Sequence, residues 1–339
     1  MLKKILGALA LTGALVIGGG AGAQEKVALK LSHWIGPGHA MAQFLQKWTD
    51  ELREKSDGRL DIQVFPGGQL GSVQEHYDLV RRGTVDIGWI LHGITSDRFP
   101  LTSLIDLPYT VDSAVHGTKI LNDPEMRSEY LDAEHRGVKV LFLFTHQPAH
   151  IHTVSRAITT PEDLNGLRIR FPSATARTYL QELGATPVGI PPTAIAENLQ
   201  KNVIDGVMID YGGAGIAFKL GGLLKHSSEI GAYVTSFAVI MNPDSYAKLP
   251  DDLKTVFDES LVNREDEIGK GWDGLDVPGK KLLVDGGSVP NVPDEAGMEA
   301  FRAVGAKVTE QILAEREANG IPARAAYKKM QDLAEKHRK

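Results

Sequence analysis

Apolar and polar residues alternate along the first part of the chain in the pattern of strands separated by helices. Strands are predicted at Val27–His33, Leu60–Phe65 and Val85–Ile90, and the segments between them have helical apolar spacing. Asp57 and Gly58 end the first of these helices. Two consecutive strand–helix–strand units predict a parallel sheet with helices on both faces.

The same alternation returns in a second, separate series. Strands are predicted at Lys139–Phe144, Arg168–Phe171 and Gly206–Ile209, and a helix is predicted near Ala174–Leu183. A long amphipathic helix follows Asp294. Two series of this kind, followed by long helices, predict an α/β protein with two lobes and a cleft between them.

The first 23 residues have the pattern of a signal peptide. Two lysines, Lys3 and Lys4, precede a 13-residue apolar stretch, Ile5–Ile17, which is too short to span a bilayer. The small residues Ala21–Ala23 provide a cleavage site. A buried N-terminal helix is the alternative, but the glycines at Gly18–Gly20 disfavour it. No cysteine follows, so we expect a periplasmic protein without a lipid anchor.

Composition excludes several classes of protein. The chain has no cysteine, so neither disulfides nor thiolate metal sites can stabilise it. Without the signal peptide, 35 basic and 43 acidic side chains remain, and this net charge of −8 gives no basic surface for nucleic acid. The glycines of Gly212–Gly215 do not form a dinucleotide fingerprint, because the later glycine is replaced by Phe218. We therefore expect no cofactor.

The stretch around Arg170 has the most informative local pattern. Thr160 begins a helix of barely one turn, and Gly166 ends it. Residues Leu167–Phe171 then alternate as a strand, which places Arg170 near its carboxyl end. That end of a strand faces the ligand crevice in open α/β sheets, and a guanidinium matches the geometry of a carboxylate. A solvated surface arginine is the alternative, and we assign that role to Arg168.

Six short motifs resemble those of the periplasmic solute-binding proteins of TRAP transporters, a family named for C4-dicarboxylate uptake. They occur in the family's order and spacing from about residue 27 to 260. The motifs are Phe65–Gly71, Gly83–Gly88, Thr160–Arg170, Gly184–Pro187, Val203–Gly206 and Met241–Pro250. The resemblance implies a two-lobed periplasmic binding protein fold, a Venus flytrap that closes around its ligand at a hinge crossed more than once.

The resemblance also implies which residues bind the ligand. Arg170 matches the arginine that grips the substrate carboxylate, whereas Ile209 stands where many members have a second contact, an asparagine. His150 aligns with a second arginine of some members, including sialic acid binders, and Leu91 lies near an acidic residue used for polyhydroxylated ligands. We therefore expect an apolar or lightly hydroxylated monocarboxylate. A dicarboxylate would need a second cation, for which His150 is the only obvious candidate.

Aromatic residues at strand ends are candidates for the walls of the site. Trp34 and Trp89 lie at strand ends on the expected cleft side, although core positions are the alternative for both. The full set of candidate ligand-binding residues is Arg170, Trp34, His33, Trp89, Leu91, His150, Ser173, Ile209, Asp210, Tyr211 and Phe237.

A cluster of histidines gives the only hint of metal or catalytic chemistry. His146, His150 and His152 are close in sequence, but no carboxylate completes a metal site locally, so we expect no metal. A periplasmic enzyme that uses His150 or His152 as a base on an organic acid is the rival hypothesis. The chain has neither G-x-S-x-G nor H-E-x-x-H, and we expect no enzyme.

The sequence therefore predicts a TRAP-type binding protein that delivers a small organic acid to the membrane subunits of a transporter. A binding module that serves a membrane sensor is a further alternative. We expect a monomer with a signal peptide at residues 1–23. Lobe I is predicted to comprise residues 24–147 and 236–275, and lobe II residues 148–235 and 276–339 with the C-terminal helices.

Overall fold

The computed structural model describes residues 25–338, so the predicted signal peptide lies outside the described residues. The strands are β1 (Val27–Ser32), β2 (Leu60–Phe65), β3 (Ile87–Leu91), β4 (Lys139–Thr145), β5 (Ala149–Thr153), β6 (Arg168–Phe171), β7 (Thr186–Gly189), β8 (Gly206–Ile209), β9 (His226–Tyr233), β10 (Ser236–Met241) and β11 (Val289–Asn291). The helices are α1 (Ala40–Lys55), α2 (His76–Arg81), α3 (Ala114–Asn122), α4 (Pro124–Met126), α5 (Ala174–Glu182), α6 (Ile195–Gln200), α7 (Pro243–Ala247), α8 (Asp251–Leu261), α9 (Arg264–Asp273), α10 (Asp276–Asp285), α11 (Glu295–Ala318) and α12 (Ala323–His337).

The strands form two mixed sheets. The first has the order β2-β1-β3-β10-β4 and the second the order β11-β9-β5-β8-β6-β7. The predicted parallel pairing is present in β2-β1-β3 and in β7-β6-β8. Strands β10 and β5, which the sequence analysis did not predict, run antiparallel to their neighbours and make both sheets mixed. The chain enters each sheet from the other one at the end where the neighbouring strands finish. Strands β5 and β10 start at that end and therefore run in the opposite direction.

The chain passes between the two sheets over short connections. It leaves the first sheet after Thr145 and enters the second at Ala149, then returns between Tyr233 and Ser236. Helix α9 contacts α3 and β4 of the first sheet's lobe, whereas the next helix, α10, packs on the turn Gly212–Ala217 of the second. Helix α11 packs on α5, and α12 returns to α3. The exact lobe boundaries remain a prediction.

The turn before β6 shows how the local sequence positions the future site. The Asp163 carboxylate accepts hydrogen bonds from the backbone N–H groups of Thr159 and Thr160, at 2.8 and 2.9 Å, which completes the predicted helix start. At the start of β6 the Asp205 carboxylate accepts from the Arg168 backbone N–H at 2.8 Å and from its guanidinium at 2.8 and 2.9 Å. The backbone hydrogen bond, which does not depend on the Arg168 side chain, holds the start of β6 beside the segment that leads into β8.

One apolar core reaches across both lobes. It contains Ile90 of β3, Ile151 of β5, Phe301 of α11 and Met330 of α12, all buried. A second core fills the other face of the first sheet beneath α1, α8 and α9. Because α11 and α12 contribute to the shared core, the C-terminal helices join the two lobes. Within residues 25–338, no helix combines the length and the apolarity that crossing a membrane would take.

Candidate ligand-binding site

A cavity lies between the two sheets, at the ends of β3, β6 and β8 and beside the connections between the lobes. Its volume is about 50 Å³. Its lining residues are Trp34, Ile35, His39, Trp89, Leu91, His146, Arg170, Pro172, Pro192, Ile209, Asp210, Gly213, Phe218, Tyr233, Thr235, Phe237 and Trp272.

Arg170 is the principal cation of this cavity. Its side chain is buried, with 3% of the residue exposed, and it donates to the carbonyl oxygens of Ile190 at 3.1 Å and Met208 at 3.4 Å. No carboxylate of the described chain forms an ion pair with it. Burial lowers the pKa of Arg170 to about 10, so the guanidinium remains charged at neutral pH. A buried guanidinium without an acidic partner is a binding site for an anion.

Asp210 faces the same cavity from the end of β8. It is 4% exposed, and its Oδ1 atom accepts hydrogen bonds from the backbone N–H of Gly213 at 2.7 Å and from Nε2 of Gln147 at 3.2 Å. Gln147 lies on the first connection between the lobes, so this hydrogen bond ties the connection to the second sheet. Within the described chain Asp210 has no Lys or Arg partner.

Aromatic side chains form much of the wall. The Phe237 and Trp272 rings are stacked, with centroids 5.8 Å apart and planes 6° from parallel. Trp34 and Trp89 pack against each other at 4.9 Å, and Trp89 also contacts Phe237 at 5.6 Å. These rings offer a flat apolar surface that suits an aromatic or aliphatic ligand body.

Two cavity histidines are neutral and have opposite hydrogen-bonding roles. Nδ1 of His39 accepts from the Met41 backbone N–H at 3.0 Å at the start of α1, which leaves the proton on Nε2. Nδ1 of His146 lies 2.5 Å from the Gln147 carbonyl oxygen and must donate to it, which leaves Nε2 as an acceptor. Burial is the main cause that lowers the pKa of both rings, to about 4 for His39.

Several other polar atoms of the cavity residues are buried without a hydrogen-bond partner in the described chain. They are Nε1 of Trp34, Nε1 of Trp89 and Oγ1 of Thr235. An unpaired buried donor costs about 1–3 kcal/mol, and most buried polar groups in proteins are paired. Unpaired groups around one cavity indicate that a polar ligand completes their hydrogen bonds.

The structure brings seven of the predicted ligand-binding residues to this cavity. They are Arg170, Trp34, Trp89, Leu91, Ile209, Asp210 and Phe237. Four others lie elsewhere. His33 borders a different groove beside α1, Ser173 caps α5 by accepting from the Ala176 N–H at 3.3 Å, and the Tyr211 hydroxyl donates to Glu229 at 3.0 Å.

His150, the fourth of these, does not fit the role of a second cation. Its Nδ1 atom accepts from the Gly231 backbone N–H at 3.1 Å, and its ring packs against Tyr211 at 4.9 Å. Burial lowers its pKa to about 4, with a further contribution from the nearby Lys280 charge. A neutral imidazole outside the cavity cannot hold a second carboxylate of the ligand.

The histidine cluster of the sequence does not assemble into a metal or catalytic site. His152 is fully buried, with Nδ1 at 2.8 Å from Oγ of Ser227 and Nε2 at 3.1 Å from the Ile209 carbonyl oxygen. His146 lies instead on the connection between the lobes. Among residues 25–338, no group of histidines and carboxylates is arranged to hold a metal ion.

Sequence reasoning missed the residues on the connections between the lobes. His146, Tyr233 and Thr235 lie on or beside the two strand connections, and Trp272 lies near the link between α9 and α10. The predicted lobe boundaries at 147 and 236 were the available signal, because residues beside a connection between lobes lie next to the cleft. His39 and Phe218 had no comparable signal.

A wider groove of about 850 Å³ adjoins the cavity. It shares Ile35, His39, Pro192 and Phe218 with the cavity and continues along Gly215 and Leu282. The shared residues form the boundary between the two spaces. A ligand can therefore reach the cavity from this groove when these residues separate.

Comparison with known proteins identifies one matching family. The model described as bacterial extracellular solute-binding protein, family 7, matches residues 31–316. The chain is 27% identical over 210 residues to a solute-binding protein of Roseobacter denitrificans, which covers 61% of this chain and 63% of that protein. The match thus spans less than two thirds of that relative's length.

Two solved structures are similar over nearly all of both chains. One is a marine metagenome TRAP solute-binding protein specific for aromatic acid ligands, in complex with metahydroxyphenylacetate. It is 31% identical, with a TM-score of 0.88, and the match covers 93% of this chain and 100% of that one. The other, a TRAP solute-binding protein of Rhodoferax ferrireducens T118 with copurified benzoate, is 28% identical, with a TM-score of 0.86, and covers 92% and 98%.

Proposed function

Because the chain belongs to bacterial extracellular solute-binding protein family 7, the TRAP solute-binding proteins, we propose that it captures an aromatic monocarboxylate in the periplasm for a membrane permease. The membership confirms the resemblance and the two-lobed α/β fold predicted from the sequence. The family and its structural neighbours are substrate-binding proteins of transporters, so this chain is a binding protein and not an enzyme. We further propose that it acts as a monomer.

The buried guanidinium of Arg170 carries this proposal. Only carbonyl oxygens accept its hydrogen bonds in the ligand-free cavity, and no acidic side chain of the described residues neutralises it. A carboxylate supplies two oxygens in the geometry of the guanidinium fork and removes the unpaired charge. Each charge-assisted hydrogen bond contributes about 1.5–3 kcal/mol.

The aromatic wall supports a ligand with an apolar body. Trp34, Trp89, Phe237 and Trp272 all line the cavity that contains Arg170. A sugar acid carries more hydroxyl groups than the few unpaired polar atoms of this wall can pair, which disfavours it. The solved relatives with metahydroxyphenylacetate and benzoate support the aromatic class.

A dicarboxylate is disfavoured by the charges of the cavity. Arg170 is its only Lys or Arg side chain among the described lining residues, and Asp210 adds a negative charge. A second ligand carboxylate would therefore be buried beside a like charge without a cation, which is strongly unfavourable.

Titration calorimetry with benzoate tests the proposal. Replacing Arg170 with alanine should weaken binding by at least about a hundredfold, which corresponds to roughly 2.7 kcal/mol. Lysine at this position should restore binding only in part, because a point charge cannot reproduce the fork. Succinate should bind the wild-type protein much more weakly than benzoate.

Arg168→Ala is the matched control. Arg168 lies two residues away on the same strand, but its guanidinium is paired with Asp205 and partly exposed. Its removal should leave benzoate affinity nearly unchanged. Urea denaturation would show whether the Arg170→Ala variant is folded. The proposed site is wrong if the folded variant binds benzoate with an affinity within threefold of the wild type. The proposed ligand class is wrong if the wild-type protein binds succinate more tightly than benzoate.

A further inference from the structure

The cavity contains a hydrogen-bond acceptor that a carboxylate cannot use. The Gln147 carbonyl oxygen can only accept, so the Nδ1 atom of His146, 2.5 Å away, carries the imidazole proton. Nε2 of His146 then carries no proton and can accept a hydrogen bond. It has no hydrogen-bond donor in the described chain, although the residue is 5% exposed and lines the cavity.

His146 lies on the side of the cavity where the ligand carboxylate is expected. Its ring contacts Tyr233 at 5.6 Å and Phe237 at 6.1 Å. His146, Asp210 and Arg170 all line the same cavity. A ligand held by Arg170 therefore has the atoms nearest its carboxylate beside His146.

A carboxylate oxygen next to this nitrogen would bring two acceptors together without a proton between them. A ligand with a hydrogen-bond donor close to its carboxylate would instead pair with this acceptor. Asp210 also accepts on this side, and its Oδ1 atom already has two donors from the protein. The polar groups here therefore call for a single small donor on the ligand.

We propose that His146 is a specificity-determining residue that accepts a hydrogen bond from a hydroxyl group on the carbon next to the ligand carboxylate. The ligand is then an aromatic 2-hydroxy acid. This inference rests on the proposed function, because it assumes that Arg170 holds the carboxylate.

A hydroxyl group fits this position better than an ammonium group. Burial is the largest cause that keeps the His146 imidazole unprotonated, so the same surroundings disfavour a cation on the ligand. The Asp210 charge raises the pKa of the imidazole and the Arg170 charge lowers it, but burial is the larger effect. A neutral hydroxyl donates its proton to Nε2 without bringing a further charge into the cavity.

Three acids that differ at one substituent test the inference by titration calorimetry. Mandelate has a hydroxyl group on the carbon next to its carboxylate, phenylglycine has an ammonium group there, and phenylacetate has neither. We expect the wild-type protein to bind mandelate at least about tenfold more tightly than phenylacetate, as one good hydrogen bond allows. Phenylglycine should bind more weakly than mandelate.

Two substitutions of His146 separate its two nitrogen atoms. In His146→Asn, the side-chain N–H can still donate to Gln147, but the acceptor at Nε2 is lost. Mandelate and phenylacetate should then bind with similar affinity. In His146→Gln, the amide oxygen lies near the Nε2 position and should restore most of the preference for mandelate. His150→Asn, at a half-buried histidine outside the cavity, should keep the wild-type preference.

The outcomes distinguish this inference from the proposed function. Equal binding of mandelate and phenylacetate by the wild-type protein, both dependent on Arg170, would overturn the role of His146 and leave the proposed function standing. Tightest binding of phenylglycine would overturn it as well, since the donor would be an ammonium group. If none of these acids and no benzoate bound, the proposed function itself would fail.

Discussion

Single polar atoms define the chemistry of the cavity more sharply than its shape. Arg170 lacks an anion, His146 lacks a donor, and Thr235 has a buried hydroxyl group without a partner in the described chain. A buried polar group without a partner costs free energy, and a ligand that pairs with it removes that cost. The site therefore favours a molecule that supplies these partners.

Thr235→Val is predicted to change stability and affinity in opposite directions. Valine has nearly the shape of threonine but no hydroxyl, so the ligand-free protein loses an unpaired buried group and should gain about 1 kcal/mol of unfolding free energy. Affinity for the ligand should fall by about tenfold if the hydroxyl bonds to it. Urea denaturation and titration calorimetry measure the two quantities. Unchanged affinity would remove Thr235 from the binding site.

Among single residues, the sequence predicted those cavity residues that lie at the ends of recognisable strands. Arg170, Trp89 and Ile209 lie on strands whose ends were recognisable from alternation, and all three line the cavity. The roles of His39 and His146 could not be predicted, because each tautomer depends on a backbone group whose position only the folded chain fixes. The hydrogen bond that His150 accepts from Gly231 likewise depends on strand β9, which the sequence pattern did not predict.

Close backbone contact holds helix α10 against the turn Gly212–Ala217. Gly279 of α10 packs against the backbone of Tyr211 and Gly212, and Gly215 packs against Gly279 in turn. A methyl group at Gly279 would collide with the Tyr211 carbonyl group. Only glycine allows α10 to approach the turn Gly212–Ala217 this closely, and that turn follows Asp210 directly.

Gly279→Ala should therefore lower the unfolding free energy by about 1–3 kcal/mol, because backbone atoms must shift to admit the methyl group. Urea denaturation measures the change. Gly271→Ala in the neighbouring α9 is the matched control, since a methyl group there meets no atom within 4 Å. It should raise stability by about 0.5–1 kcal/mol through the higher helix propensity of alanine. Equal effects of the two substitutions would contradict the contact.

Element prediction succeeded where the sequence pattern is local and failed where direction is set by the other lobe. The predicted β2, β6 and β8 agree with the structure in both bounds. Strands β5 and β10 run antiparallel because the chain arrives from the opposite sheet over two or three residues. No alternation of apolar and polar residues contains that information.

Buried neutral histidines are distributed over the whole molecule. Burial is the main cause that lowers their pKa values. The pKa is about 4 for His33, His39, His135 and His150, and about 3 for His152. The unfolded chain protonates these groups near pH 6.5, so below that pH it binds more protons than the folded protein. Stability therefore falls as the pH falls from about 6.5 toward 4.

Carboxyl groups whose pKa burial raises oppose this trend, Asp273 and Asp276 among them. Burial raises the pKa of Asp106 to about 7 and raises that of Glu134, so the folded protein binds more protons than the unfolded chain at these two groups. Five histidines outweigh them. Urea denaturation should show a loss of at least about 3 kcal/mol between pH 7 and pH 5. An unfolding free energy that stays constant or increases as the pH is lowered from 7 to 5 would contradict the burial of the histidines as neutral rings.

The size of the cavity limits what can enter it. At about 50 Å³ it is smaller than an aromatic acid. Ligand entry therefore requires the lobes to separate, and the ligand can favour their closure only through contacts that it makes with both. Arg170 and Asp210 belong to the second sheet, whereas Trp89 and Phe237 belong to the first.

A crystal structure of the protein with bound benzoate tests the central claim most directly. The account predicts both carboxylate oxygens at about 2.8 Å from the guanidinium nitrogens of Arg170. The benzoate ring should lie against Phe237 and Trp272. Benzoate bound instead in the wider groove along Gly215 and Leu282, with Arg170 bonded only to carbonyl oxygens, would contradict the account.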